Sequence, residues 1–133
     1  MSNWSAAVKA LAALLVVNVV LFFLLTPLGF ESRPSTDLKT VGYIAIGTIF
    51  AGLGLDLASI AALLFRRARL ASGLAIVASL LFFFPIVGDR IGAFFSLPIP
   101  PVINTLEYVF VVVLLVTLIL ASKVYRESSP SPG

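Results

Sequence analysis

Residues 47–69 read GTIFAGLGLDLASIAALLFRRAR, and this stretch decides the predicted fold. Most of it is an apolar run long enough to cross the hydrocarbon core of a bilayer as a helix, which takes about 20 residues. It holds one carboxylate, Asp56, and it ends with the basic residues Arg66, Arg67 and Arg69. Another apolar run follows at once, so the arginines leave room only for a tight turn. The stretch therefore predicts one arm of an antiparallel membrane hairpin.

The composition of the whole chain extends this prediction. Of its 133 residues, 60% are hydrophobic and only 11% are charged, whereas a soluble domain carries roughly 25% charged residues. Four apolar runs are predicted to span the membrane, at residues 10–28, 40–65, 70–88 and 103–122. The predicted fold is an all-α integral membrane protein of one domain, with four transmembrane helices in an up-down-up-down antiparallel bundle.

The segments outside the spans have their own signals. A basic residue, Lys9, precedes the first apolar run, which is also typical of a signal peptide, but the run is long for one and no small-x-small cleavage site follows it. Residues 89–102 are largely apolar and rich in proline, which predicts a Pro-rich interfacial loop between the third and fourth helices. A re-entrant or lid-like element is the alternative for that loop. Residues 128–133 are rich in serine and proline and are predicted to be a disordered tail.

Several residue types are missing, and their absence excludes whole classes of function. The chain has no Cys and no His. Disulfides, histidine-ligated haem, thiolate-held iron–sulfur clusters and ordinary zinc sites are therefore excluded, as are Ser-His-Asp and Cys-His catalytic arrangements. We predict no cofactor, no metal centre and no enzymatic activity. The basic residues lie mostly in short loops, which favours membrane topology over nucleic-acid binding.

The distribution of basic residues predicts the orientation in the membrane. With four spans, both termini and the arginine turn share one side. That side carries six basic residues: Lys9, Arg66, Arg67, Arg69, Lys123 and Arg126. The other side carries three: Arg33, Lys39 and Arg90. The positive-inside rule then places both termini in the cytoplasm and the protein in the cell membrane. The three turn arginines set this topology and can also contact anionic lipid headgroups.

Small residues predict how the helices pack, because close backbone approach drives helix association in lipid. In the second span they recur on one helical face, which comprises Gly47, Ala51, Gly54, Ala58 and Ala61. In the third span Ala71, Ala75 and Ala78 form a similar row. We expect these two rows to meet across the hairpin.

Asp56 is the residue that packing alone does not explain. An aspartate near mid-membrane costs about 2.5–3.5 kcal/mol on insertion scales, so it should face the bundle interior and either find partners or stay protonated. Counting inward from the predicted ends of each span predicts neighbours for it. Asn18, Ser79 and Thr117 lie at a similar depth, and Ser59 lies one turn away. These five residues are predicted to form a buried polar site. The alternative is a purely structural role, in which their hydrogen bonds only hold the bundle together.

Two functional hypotheses follow. The first is a non-enzymatic structural or accessory subunit, which assembles with other membrane subunits or with itself in the bilayer. The second is a small transporter or channel, coupled to protons or cations, that uses Asp56. At the outer surface, Asp89, Arg90 and Glu107 could form a further site, but exposed interfacial ion pairs are the simpler expectation.

Overall fold

The computed structural model describes residues 5–32, 39–91 and 99–128. Four helices make up nearly all of this part of the chain: α1 (Ala6–Ser32), α2 (Thr40–Leu64), α3 (Ala68–Arg90) and α4 (Pro101–Glu127). Each is long enough and apolar enough to cross a membrane. The prediction of an all-helical fold with four helices that are long and apolar enough to span a membrane is confirmed.

Helices α1, α3 and α4 extend beyond the predicted spans. A helix satisfies its own backbone hydrogen bonds, so it need not end where the apolar run ends. Helix α3 continues through Pro85 as far as Arg90. Asp89 and Arg90 therefore belong to this helix, whereas the predicted loop of residues 89–102 included them. Residues 92–98 of the predicted Pro-rich loop and residues 129–133 of the predicted tail lie outside the described residues.

The turn between α2 and α3 has a defined geometry. The amide of Arg67 donates to the carbonyl of Ala62 at 2.8 Å, and the amide of Arg66 donates to the carbonyl of Leu63 at 3.0 Å. This pair of bonds is the Schellman motif, which closes a helix with a left-handed residue that is usually glycine. Here that residue is Arg66, with φ 61°. The hairpin is therefore closed by a conformation that costs a non-glycine residue some free energy.

The core contains two apolar clusters. The turn-side cluster lies near the α2–α3 turn and consists of Leu11, Leu15, Ala62, Leu63, Ala71, Ala75, Ala121 and Val124. The far cluster consists of Leu21, Phe22, Phe82, Ile86, Phe110 and Leu114. The turn-side cluster combines the starts of α1 and α3 with the ends of α2 and α4, so successive helices run in opposite directions. Helices α1 and α3 each pack against both α2 and α4, and the four helices form a ring around the core.

The predicted packing of α2 on α3 is wrong for α2. All five residues of its small-residue face are exposed: Gly47, Ala51, Gly54, Ala58 and Ala61. An added Cβ at Gly47 or Gly54 would meet no atom within 4 Å. In contrast, Ala71, Ala75 and Ala78 of α3 are completely buried, so the α3 half of the prediction agrees with the structure.

Helix α2 turns its Asp56 face inward instead. An added Cβ at Gly52, one turn from Asp56, would lie 3.0 Å from Cζ of Phe82 on α3. Asp56 points about 160° away from Gly54 around the helix, so only one of these two faces can meet the bundle. A carboxylate in lipid is costly, whereas an exposed glycine or alanine in lipid is not. That difference decides which face is buried.

Candidate functional site: a buried polar layer

One polar residue from each helix lies between the two apolar clusters. Asn18 follows Leu15 of the turn-side cluster by three residues and precedes Leu21 of the far cluster by three. Ser79 of α3 and Thr117 of α4 also lie between residues of the two clusters. Asp56 of α2 lies between Gly52, which faces Phe82 of the far cluster, and Ala62 of the turn-side cluster. We call Asn18, Asp56, Ser79 and Thr117 the polar layer. Each of the four is at most 1% exposed.

Two members of the layer are joined by a hydrogen bond. The side-chain amide of Asn18 donates through Nδ2 to Oγ1 of Thr117 at 3.1 Å. The Thr117 hydroxyl in turn donates to the carbonyl of Val113, one turn earlier in α4, at 2.7 Å. The hydroxyl of Thr117 is thus both donor and acceptor, and the Asn18 amide nitrogen links α1 to α4.

The other polar atoms of the layer are unsatisfied. No described residue makes a hydrogen bond to Oδ1 of Asn18, to either carboxylate oxygen of Asp56, or to Oγ of Ser79, although all four atoms are buried. Leaving a neutral buried group unpaired costs about 1–3 kcal/mol, and a charged group costs more. Buried polar groups are normally paired, so this set of oxygens is the most unusual feature of the described core.

Ser59 has a different role from the one predicted for it. Its hydroxyl donates to the backbone carbonyl of Ala71 in the first turn of α3 at 2.6 Å. Ser59 is completely buried, but its hydroxyl already makes this hydrogen bond, so it does not add an unpaired oxygen to the polar layer. It fastens α2 to α3 on the turn side of Asp56.

No basic side chain lies near Asp56 along the described helices. The basic residues of α1, α3 and α4 on the turn side are near the helix ends, at Lys9, Arg69, Lys123 and Arg126. Lys9 precedes Asn18 by nine residues in α1, which is roughly 14 Å along the helix axis. A negative charge on Asp56 would therefore have no neutralising side chain at its own level, and an unpaired charge in a low-dielectric core is strongly unfavourable.

A second polar cluster joins α3 to α4 at the far end. Arg90 contacts Oε1 of Glu107 through Nη1 at 3.1 Å and donates through Nη2 to Oδ1 of Asn104 at 2.6 Å. Its guanidinium also lies 4.3 Å from the ring centroid of Tyr108. The expected ion pair is present, but it is exposed on one side only, because Arg90 is exposed whereas Glu107 is 6% exposed. Sequence reasoning missed Asn104, which lies one turn before Tyr108 on α4.

The turn arginines differ in their surroundings. Arg66 and Arg67 are exposed, whereas the guanidinium of Arg69 lies 4.2 Å from the ring centroid of Tyr125 on α4. Arg69 therefore contributes to packing between α3 and α4, and this contact was not predicted. Contact of the three arginines with lipid headgroups stays a prediction.

Comparison with protein-family models, with curated proteins and with solved structures finds no match for this chain. Its function has to be inferred from its own residues. The described residues contain no group of three or more acidic side chains that could hold a metal ion. What the polar layer offers chemically is a single carboxylate and neutral oxygens, which can hold a proton, a water molecule or a cation.

Proposed function

We propose that this small multi-pass membrane protein is a non-enzymatic subunit that assembles through the exposed small-residue face of α2. The observation that supports this proposal is the exposure of Gly47, Ala51, Gly54, Ala58 and Ala61. Rows of small residues let two membrane helices approach closely and gain van der Waals contact. Within one copy of the chain this face is exposed, and an added Cβ at Gly47 or Gly54 would meet no atom within 4 Å, so the contact it favours is with another chain.

The occupant we propose for this face is a second copy of the same chain. A row of small residues is complementary to itself, so a two-fold axis can pair α2 with α2 using identical contacts. The face carries no charged residue, which suits an apolar partner helix. Helix α2 also has the smallest share of buried residues in its most apolar part among the four described helices, 22% against 44% for α3.

Single-molecule photobleaching of the labelled protein in liposomes tests this assembly. Gly54→Leu would place a large side chain in the row without disturbing the core, because nothing lies within 4 Å of that position. We expect wild type to form dimers and Gly54→Leu to be monomeric. Val112→Leu, which enlarges an exposed residue of α4, is the control and should remain dimeric. A monomeric wild type would contradict self-assembly. If such a monomer enters a stoichiometric complex that Gly54→Leu disrupts, the face binds a different subunit.

The proposed orientation places both termini in the cytoplasm and the protein in the cell membrane. Its support is the excess of basic residues at the end of the bundle that holds both termini and the α2–α3 turn. The Pro-rich segment between α3 and α4 would then lie at the outer interface. Reporter fusions at the carboxyl end should be active only on the cytoplasmic side, and activity on the outer side would reverse the assignment.

A second candidate function is proton- or cation-coupled transport through Asp56. It is favoured by the two unsatisfied carboxylate oxygens in the middle of the bundle, because intramembrane carboxylates commonly lie on ion and proton pathways. Flux measured in proteoliposomes is the test, with Asp56→Asn as the variant. We expect flux in wild type that the substitution abolishes. Absence of flux in wild type would remove this candidate and leave the assembly proposal untouched.

A further inference from the structure

We propose that the polar layer binds one dehydrated monovalent cation between Asp56, Asn18 and Ser79. This inference deepens the second candidate function, since both use Asp56, but binding does not require that the ion crosses the membrane. The starting observation is that every unsatisfied buried side-chain atom among the described residues is an oxygen of this one layer.

The chemistry of these atoms selects a hard cation. The unsatisfied atoms are an amide oxygen, two carboxylate oxygens and a hydroxyl oxygen, and such oxygens suit cations of the alkali and alkaline-earth type. An anion is disfavoured, because the layer presents a carboxylate and its nearest amide donor already serves Thr117.

The charge of the layer selects a monovalent ion. Asp56 is the only ionisable residue of α2 between Tyr43 and the turn arginines, and the neighbouring faces of α1 and α3 contribute Asn18 and Ser79, which are neutral. One cation of charge +1 makes the layer neutral. A divalent cation would leave a net positive charge in the apolar core, which is as unfavourable as the bare carboxylate.

The absence of hydrogen bonds between Asp56 and its neighbours in the layer supports a ligand between the side chains. No hydrogen bond joins Asp56 to Asn18 or to Ser79, although all three are buried between the two apolar clusters. A protonated Asp56 in direct contact with either neighbour would have made such a bond. Oxygens that share a layer without bonding one another are the arrangement that an intervening ion needs.

Thr117 is a positioning residue for this site. Its hydroxyl holds the amide nitrogen of Asn18, and because the amide group is planar, this bond turns the amide oxygen away from Thr117. Without Thr117 the amide could rotate and present either atom. Supporting residues of this kind typically change ion affinity on the order of tenfold or more.

The test is equilibrium binding of radioactive sodium to the purified full-length protein, together with thermal unfolding in sodium, lithium, potassium or choline chloride at equal ionic strength. We expect saturable binding of about one sodium ion per chain, with a higher melting temperature in sodium than in choline, because a ligand that binds only the folded state stabilises it. If Asp56 is protonated before binding, one proton leaves as one cation enters, which a weakly buffered solution reports.

The variants assign the site to named atoms. Asp56→Asn should abolish sodium binding, and Ser79→Ala should weaken it on the order of tenfold. Ser59→Ala is the matched control, because it removes an equally buried hydroxyl that is already occupied by a backbone carbonyl. It should leave sodium affinity unchanged. Equal losses in Ser59→Ala and Ser79→Ala would mean that the effect is structural, and they would overturn the assignment.

Wild type alone can also refute the proposal. Identical melting in sodium and choline, with no bound sodium at any pH at which the protein is folded, would show that the layer holds only a proton or water. Infrared spectra would then show a protonated carboxyl band that Asp56→Asn removes and that sodium does not change. Binding without flux would support the site and reject the transporter. Binding that persists in Gly54→Leu would separate the site from assembly.

Discussion

Gly52→Ala should destabilise the bundle although it adds only one methyl group. The added Cβ would lie 3.0 Å from Cζ of Phe82 and 3.1 Å from both Cε atoms. Phe82 is 2% exposed, and its ring lies 5.2 Å from Phe110 and 6.4 Å from Phe22 between centroids. The ring therefore has little room to retreat, and overpacking of this kind typically costs about 1–3 kcal/mol.

Gly54→Ala is the matched control in protein dilute enough to be monomeric, because it makes the same change two residues away, where nothing in the same chain lies within 4 Å. Alanine stabilises a helix relative to glycine by about 1 kcal/mol at most, and this gain is common to both variants. The difference between their free energies of unfolding isolates the steric contact, which we expect to be about 1–3 kcal/mol.

Unfolding of the purified protein in mixed micelles, followed by circular dichroism, gives this difference. The double variant Gly52→Ala with Phe82→Leu tests the mechanism. The smaller side chain makes room for the methyl group, so adding Gly52→Ala should cost less in the Phe82→Leu background than in wild type. Equal stability of Gly52→Ala and Gly54→Ala would refute the inference that the Asp56 face of α2 packs against α3.

Three further variants test single contacts by the same unfolding measurement. Arg66→Gly should stabilise the protein by up to about 1 kcal/mol because it relieves the left-handed conformation at φ 61°, whereas Arg67→Gly should not; equal effects would contradict the turn geometry. Ser59→Ala should lower the free energy of unfolding by about 1 kcal/mol because it loses the hydrogen bond between α2 and α3; no change would show that this bond is not formed. Glu107→Gln should cost about 1 kcal/mol, since the side chain of its partner Arg90 is 30% exposed and the ion pair is partly screened. A larger loss at high salt than at low salt would contradict the ionic origin of that effect.

The sequence was informative where one physical cost dominates. The four apolar runs had to cross a membrane, because no soluble fold could bury so much apolar surface. The expense of a mid-membrane carboxylate predicted that Asp56 faces inward. Counting residues inward from each span end predicted that Asn18, Ser79 and Thr117 lie near the depth of Asp56, because straight helices of similar length place equal counts at similar depth, and all three are buried.

The prediction of which face of α2 is buried was wrong because two weak preferences competed. The small residues around Gly54 and the polar face around Asp56 both favour contact with other helices, and they lie on opposite sides of α2. Assigning the glycine face to α3 ignored Gly52, which lies four residues before Asp56 on the same face and lets α2 approach Phe82. The end of α3 was placed two residues early for another reason, because the predicted span stopped where the apolar run stops, whereas the helix continues through the polar residues Asp89 and Arg90.

Other features had no signal in the sequence. Ser59 and Ser79 are both serines on inward faces, and only the placement of Ala71 decides that one hydroxyl is bonded and the other is not. The contacts of Arg69 with Tyr125 and of Arg90 with Asn104 depend on the register of α3 against α4. This register depends on all the contacts between the two helices, so it cannot be predicted from the sequence of either helix alone.

The fold and the proposed assembly both require that the small-residue face of α2 is free to meet another chain. Because the chain contains no Cys, Ala58→Cys and Leu57→Cys each introduce a single reactive thiol on the exposed surface of α2. In bilayers, we expect Ala58→Cys to form a disulfide between two copies, whereas Leu57→Cys, which lies about 100° around the helix, should not. An Ala58→Cys protein that neither crosslinks nor reacts with a lipid-soluble thiol reagent would show that this face is buried within a single chain, and it would contradict both the fold and the proposed assembly.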